Sequence, residues 1–374
     1  MALMAGRPEE YPNWGVIGHE WAIRGLARSL SADQVAHAYL FTGPHGIGKT
    51  TLAHALAQAL ECTGSVRPCG ECAACRKVAR DRHPDVLVVE GVPVGYGSEN
   101  TEESEEDLPP PPPRKNDRER RILKVWQIRT VRRAIARTPF EGRWKIIILR
   151  RFEEANDSAS NAFLKSLEEP PRHVRFILTA RDASLVLPTI ASRCHVLALR
   201  PLPLPQVEDA LVKRWHVEPS QAHLLARLSG GRLGWAVRAA TPETRGVDGH
   251  TLLEERRAHL EDLNRVLQIG YAERLTFAGE VAKDKRNKED LPDLLEAWMG
   301  WWRDLVLIQS GQRDRITNVD FEESLSTQAR RLSLEEVHAG LKATRATMRY
   351  LEQNVNARLA IEVLLLNLPG DRGN

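Results

Sequence analysis

Over residues 21–200 the apolar positions switch repeatedly between a helical and an extended period. Trp21, Ile23, Leu26, Ala27 and Leu30 recur at helical spacing, whereas His37-Ala38-Tyr39-Leu40-Phe41 reads as a strand. Val86-Leu87-Val88-Val89, Lys145-Ile146-Ile147-Ile148-Leu149 and Phe176-Ile177-Leu178-Thr179 are short apolar runs bounded by polar or turn residues. Runs of that kind suit strands buried on both faces of a parallel sheet. Residues 51–60 read as a helix, and the alternation as a whole predicts an α/β core with helices covering the sheet. After Pro201, Pro203 and Pro205 the strand signals stop. Residues 206–240 predict two or three short helices broken at Ser229-Gly230-Gly231, and from about residue 250 the pattern is helical throughout. Leu294, Leu295, Trp298, Trp301, Trp302, Leu305 and Ile308 form one stripe. Its tryptophans are expected as core or as subunit-interface anchors. Ser333 and Glu336 form a capping box that opens a helix with Val337, Leu341, Met348 and Leu351 inward.

One stretch breaks the pattern. Six acids lie between Glu99 and Asp107, residues 109–113 are all proline, and residues 114–121 are mostly charged. Too little apolar surface is present to offset the entropy of ordering, which predicts a disordered or extended surface insertion over about residues 92–121. A tolerated loop and a docking site for a partner both suit it. The resulting division is residues 1–200 as an α/β domain, 201–242 as a small helical domain and 243–374 as a larger helical domain.

Charge and cysteine content narrow the class. Lys and Arg number 53 against 50 Asp and Glu, a formal charge of +3, so no global basic signal argues for avid nucleic-acid binding. Lys124, Arg129, Arg132, Arg133 and Arg137 still make one basic helix, suited to DNA phosphates, to an acidic protein or simply to solvent. Apolar runs are too short to span a bilayer; residues 359–368, the longest, are interrupted by Glu362 and Asn367. The N-terminus lacks the apolar core of a secretory signal, so a cytoplasmic location is expected. Disulfides are not expected there.

Gly43-Pro44-His45-Gly46-Ile47-Gly48-Lys49-Thr50, followed by Thr51, stands between a strand and a helix and has the form of a phosphate-binding loop. Its glycines let backbone N–H groups turn inward around phosphates, Lys49 reaches the terminal phosphates, and Thr50 holds Mg²⁺. Yet Arg150-Arg151 follow the strand at residues 145–149, where an ATPase places acids. Two unit charges about 4 Å apart interact by roughly 4 kcal/mol at an effective dielectric near 20, enough to weaken metal binding by orders of magnitude. ATP or ADP is expected as a possible ligand, with Mg²⁺ disfavoured; arginines that pair with phosphate and arginines that point to solvent are both open.

Cys62, Cys69, Cys72 and Cys75 fall within fourteen residues. Two-residue gaps let thiolates converge on one ion, and four thiols leave no spare position for water, which favours a closed, structural zinc site. Cys194 is isolated and is expected as a small buried side chain.

Several stretches share one order: Val16-Ile17-Gly18-His19-Glu20, residues 37–41, the phosphate loop, the four-cysteine module, Leu167-Glu168-Glu169-Pro170-Pro171, and Ser192-Arg193-Cys194. Together they resemble the clamp loader of bacterial DNA polymerase III, an AAA+ assembly, and residues 354–366 resemble its oligomerising collar. The resemblance covers most of the chain. It implies a P-loop AAA+ core with an inserted zinc module, a small helical lid and an all-helical collar. It also implies partners: gamma or tau and delta subunits in a hetero-pentamer, with the sliding clamp and primer-template DNA reached through the assembly. Motor subunits of the family carry Asp-Glu after the strand and a sensor arginine in the lid. Here Arg150-Arg151 and Gly234 stand at those positions, which resembles the family's stator, a part of the polymerase holoenzyme without its own ATPase activity. In the family the arginine of Ser-Arg-Cys reaches a neighbouring subunit's ATP, which assigns Arg193 as a finger in trans. An active motor of the gamma or tau type is the alternative. A repair or recombination AAA+ protein is a third reading, opposed by the collar-like residues 291–368.

Overall fold

The computed structural model describes residues 14–96, 111–112, 114, 119–241, 251–283, 285–353 and 355–370. Two compact units emerge, Met1–Gln206 with Arg232–Trp235, and Val207–Gly231 with Ala236–Asn374.

The first unit runs α1 (Glu20–Ser31), β1 (Ala38–Thr42), α2 (Lys49–Glu61), α3 (Ala73–Ala79), β2 (Val86–Val89), β3 (Val92–Pro93), β4 (Arg121–Ile122), α4 (Val125–Ile135), β5 (Lys145–Leu149), α5 (Asp157–Glu168), β6 (Val174–Ala180), α6 (Pro188–Ala191) and β7 (His195–Ala198). The main sheet has the order β2-β5-β6-β1-β7, with every pair parallel. Alternation along the strands explains why both faces are covered. Tyr39, Phe41, Ile146, Ile148 and Ile177 pack with α1 and α2, whereas Ala38, Leu40, Ile147, Leu149 and Phe176 pack with α4 and α5. Continuous apolar strands are therefore required, as the sequence shows.

Two strand features escaped the periodicity. β7 is an edge strand with His195, Val196 and Ala198 exposed, so no apolar run marks it. β3 and β4 pair antiparallel, Val92 opposite Ile122 and Pro93 opposite Arg121, at the two ends of the expected insertion. The six acids of that segment between Glu99 and Asp107 lie outside the described residues. Its described charged residues correct the solvated expectation: Arg121 is buried and donates from Nη1 to Gly91 O at 3.2 Å, and Arg114 is held in ion pairs. The carboxylates that hold Arg114, those of Glu90 and Glu154, lie far away in sequence, whereas Arg121 pairs locally with Glu119 at 3.1 Å.

The second unit holds most of α7 (Leu204–Trp215), then α8 (Pro219–Ser229), the end of α9 (Leu233–Ala240), α10 (Leu252–Val266), α11 (Tyr271–Lys283), α12 (Lys285–Gln309), α13 (Glu322–Arg331), α14 (Leu334–Glu352) and α15 (Ala357–Asn367). Gly230 ends α8 in the left-handed conformation, as the glycine pair suggested. The α14 capping box forms, with Ser333 Oγ accepting from Glu336 N. Trp298, Trp301 and Trp302 are fully buried, which makes them core within this unit. Trp298 Nε1 donates to His259 O at 2.8 Å and Trp301 Nε1 to Gln328 Oε1 at 2.9 Å, as burial demands, whereas Trp302 Nε1 has no hydrogen-bond partner among the described residues. A Cβ on Gly340 of α14 would lie 2.8 Å from the Trp302 ring, so this glycine permits the close helix approach. Among the described residues no helix is long and apolar enough to cross a membrane.

Candidate nucleotide site and metal centre

β1 delivers the chain into the phosphate loop and α2 carries it away, starting at Lys49. Gly43, Gly46 and Gly48 take φ of 139°, 75° and 108°, values that other residues adopt only with strain. Ile47 is buried, and His19, buried on the approach to α1, places Nε2 2.9 Å from Ile47 O. Lys49 Nζ donates to Gly43 O at 2.5 Å and Pro44 O at 2.9 Å, which lays the ammonium across the loop. Pro44, His45 and Thr50 are half-buried and Thr51 is exposed. Gly234 N donates to Gly46 O at 2.7 Å, and a Cβ on Gly234 would lie 2.9 Å from that oxygen. Backbone therefore fills the position read as the sensor arginine, leaving no room for a side chain to start.

Arg150 lies level with Phe41, one residue before the end of β1. It follows Leu149, which pairs with Leu178, which pairs with Leu40. Arg150 Nη2 is 3.0 Å from His54 Nε2, and Nη1 is 3.9 Å from Glu90 Oε2. His54 stands one helical turn after Thr50, so both lie on one face of α2. Its Nδ1 is 3.5 Å from Asp81 Oδ1. Burial lowers the His54 pKa, with Asp81 opposing and Arg150 assisting. A neutral ring follows, accepting from Arg150 through Nε2. Arg151 takes a left-handed φ of 51° and donates its N–H to Thr179 Oγ1 at 3.0 Å, while Nη1 is 3.9 Å from Glu154 Oε1. Arg114 closes the network, with Nε on Glu90 Oε1 at 2.6 Å and Nη2 on the Glu154 carboxylate at 2.7 and 2.6 Å. Burial pushes the Glu154 pKa above its ordinary value even against Arg114. Neither arginine of the strand end simply points into solvent.

Mg²⁺ does not fit this donor set. Thr50 keeps its hydroxyl, but two guanidinium groups hold the strand end and Glu154 is taken by Arg114. Among the described residues the one group of three or more candidate metal ligands is the cysteine set.

Those four sulfurs converge. Cys62 caps the end of α2, Cys72 caps the start of α3, and Cys75 lies in its first turn. All four Sγ atoms lie within 4.8 Å of one another, and Cys69 and Cys75 are 4.0 Å apart. Tetrahedral ligation with Zn–S near 2.3 Å places sulfurs about 3.8 Å apart, so zinc fits. Backbone N–H groups of Gly64 and Cys69 point at Cys62 Sγ, each at 3.3 Å, and Cys72 N points at Cys69 Sγ at 3.3 Å. Donors aimed at sulfur stabilise thiolate. Cys194 is half-buried against the core, and burial pushes its thiol up to about 12.

Arg193 lies two residues before β7. Its Nη2 donates to Glu168 Oε1 at 3.0 Å and its Nη1 to Thr189 O at 2.9 Å, with the side chain 37% exposed. Arg129, Arg132 and Arg133 on α4 and Arg137 just past its end are exposed, but Lys124 is not part of that face. It precedes the helix, is buried, and donates from Nζ to Tyr96 O at 2.9 Å. Sequence reasoning missed His54, Glu90, Arg114 and Thr179 as neighbours of the strand end. Only the position of Glu90, just past an apolar run, could have marked one of them.

A glycine-lined loop on a parallel sheet of this strand order defines a P-loop core of the AAA+ class. Residues 18–203 match the family model described as DNA polymerase III, delta subunit, and residues 251–369 match its C-terminal model. The chain belongs to the clamp-loader subunits of DNA polymerase III, the family of delta-prime, gamma and tau. It is 27% identical to the Bacillus subtilis delta-prime subunit over 92% of this chain and 94% of that protein. To Escherichia coli tau it is 31% identical over 69% of this chain but only 36% of tau. A gamma subunit-related protein from Thermotoga maritima aligns at a TM-score of 0.38 and 16% identity, over 91% of this chain and 97% of that structure.

Proposed function

We propose that the chain is a delta-prime-type stator, which closes the ring of ATPase subunits in the clamp loader without hydrolysing ATP itself. The observation that carries this reading is the strand end, where Arg150 and Arg151 replace metal-binding acids and are engaged with His54, Glu90 and Glu154. Similarity to the delta-prime relative over nearly its whole length supports it. On this reading gamma or tau and delta subunits are the partners, in a hetero-pentamer that loads the sliding clamp onto primer-template DNA. Residues 1–200 serve as the AAA+ core, 201–242 as lid and 243–374 as collar, and zinc held by Cys62, Cys69, Cys72 and Cys75 is structural.

Arg193 is assigned as the finger that completes a neighbouring subunit's ATP site. Its exposed guanidinium is held by a surface carboxylate, a pairing worth at most about 1 kcal/mol and easily exchanged for a phosphate. Arg193→Ala in the reconstituted clamp loader is expected to lower DNA-stimulated ATPase turnover at that site by about 10³-fold, by analogy with trans arginine fingers. Unchanged ATPase and clamp loading would remove the assignment. The intact Lys49-Thr50 pair favours the motor reading instead, and sustained ATP turnover by the purified chain alone would establish it.

A further inference from the structure

The absence of a fit for Mg²⁺ beside an intact loop points to a different way of holding a ligand. We propose that residues 43–50 bind the polyphosphate of a nucleotide without a divalent cation, with the Arg150 guanidinium taking the cation's place. The inference rests on the reading of this loop as a nucleotide cradle and not on the stator role.

Three observations carry it. First, Arg150 is at the correct level: it follows the strand residue registered through Leu178 with Leu40, and β1 enters the loop at Gly43. Second, it lies against the correct helix face. Arg150 Nη2 is 3.0 Å from His54 Nε2, one turn past Thr50, the residue that holds the metal in a metal-dependent loop. Third, its charge is weakly neutralised. The close partner is an imidazole, the carboxylate of Glu90 is 3.9 Å away, and Glu90 is already bonded to Arg114 at 2.6 Å. Arg150 Nε is buried and has no hydrogen-bond partner among the described residues. A guanidinium is a planar fork that matches phosphate oxygens and keeps its charge at any relevant pH. Arginine at this point thus both excludes magnesium and supplies one of the two positive charges that magnesium would have brought. Hydrolysis does not follow from such binding, because arginine stands at both strand-end positions where an ATPase places its acids.

The test is equilibrium dialysis of the full chain against ADP and ATP, once with excess EDTA and once with Mg²⁺. Expected is a dissociation constant that differs by less than about threefold between the two conditions. Arg150→Gln is expected to weaken binding in EDTA by about tenfold or more, the range of a charge-assisted hydrogen bond to phosphate. Arg150→Lys, which keeps the charge without the fork, is expected to fall between the two and serves if the glutamine variant does not fold. Binding by the wild type only when Mg²⁺ is present would overturn the proposal while leaving the cradle intact. An unaffected Arg150→Gln in EDTA would overturn it as well. No nucleotide bound in either condition would overturn the cradle itself, yet leave the Arg193 experiment in the assembled complex untouched.

Discussion

Asp85, fully buried, organises a loop that has no regular structure of its own. Its carboxylate accepts from Phe140 N at 2.7 Å, from Glu141 N and Gly142 N each at 2.9 Å, and from Lys145 Nζ at 3.0 Å. Burial alone would raise the Asp85 pKa, but the three N–H donors and the lysine outweigh it and hold the carboxyl at about 2, against an ordinary 3.8. A folded-state pKa below the unfolded one means stability that is present above pH 3.8 and is lost as pH falls toward 2. The linked contribution at neutral pH is about 2 kcal/mol. Urea unfolding of wild type and Asp85→Asn should therefore show a gap that narrows by about 1 kcal/mol between pH 7 and pH 3. A gap of constant size would show that Asp85 acts through shape alone. No sequence pattern announced this residue: it stands four positions before the end of a strand, and its donors lie more than fifty residues away.

At the scale of elements, the cysteine module joins α2 and α3 through sulfur, beside the apolar packing of Val78 in the core that α2 also lines. Between α2 and α3, Cys62 and Cys75 are buried but Cys69 and Cys72 are only half-buried, and Val66 is exposed. Little apolar surface is available to order residues 62–75, so on the zinc proposal the metal supplies much of that order. Chelation at neutral pH is expected to release one zinc per chain and to speed amide exchange across α3 and residues 62–72, with β5 and β6 unchanged. Cys69→Ser should reproduce that pattern without chelator. Equal protection with and without zinc would exclude a structural role for the metal. The module was legible in the sequence because ligand spacing is local, and so were the phosphate loop and the buried central strands. The β3–β4 ladder, the Arg114 bridge and the buried Lys124 were not, because each is fixed by partners brought in from distant sequence or, for β3 and β4, by strands too short to show a period.

Over the whole molecule, charge decides what the chain can do alone. A formal +3 leaves no broad field to draw in nucleic acid, and the basic face at α4 reduces to Arg129, Arg132, Arg133 and Arg137 once Lys124 is withdrawn from it. Each phosphate neutralised contributes about −0.9 to the slope of log affinity against log salt, so four arginines set a limit near −4. Between 50 and 200 mM salt such a footprint loses on the order of 10²-fold in affinity. Fluorescence anisotropy of the isolated chain with primer-template duplex should thus show weak binding that fades across this range. Reversing Arg129 and Arg133 to glutamate should flatten the slope by about two units. Tight binding that persists in high salt would mean that the chain reads DNA through contacts other than phosphate. It would also count against the stator proposal.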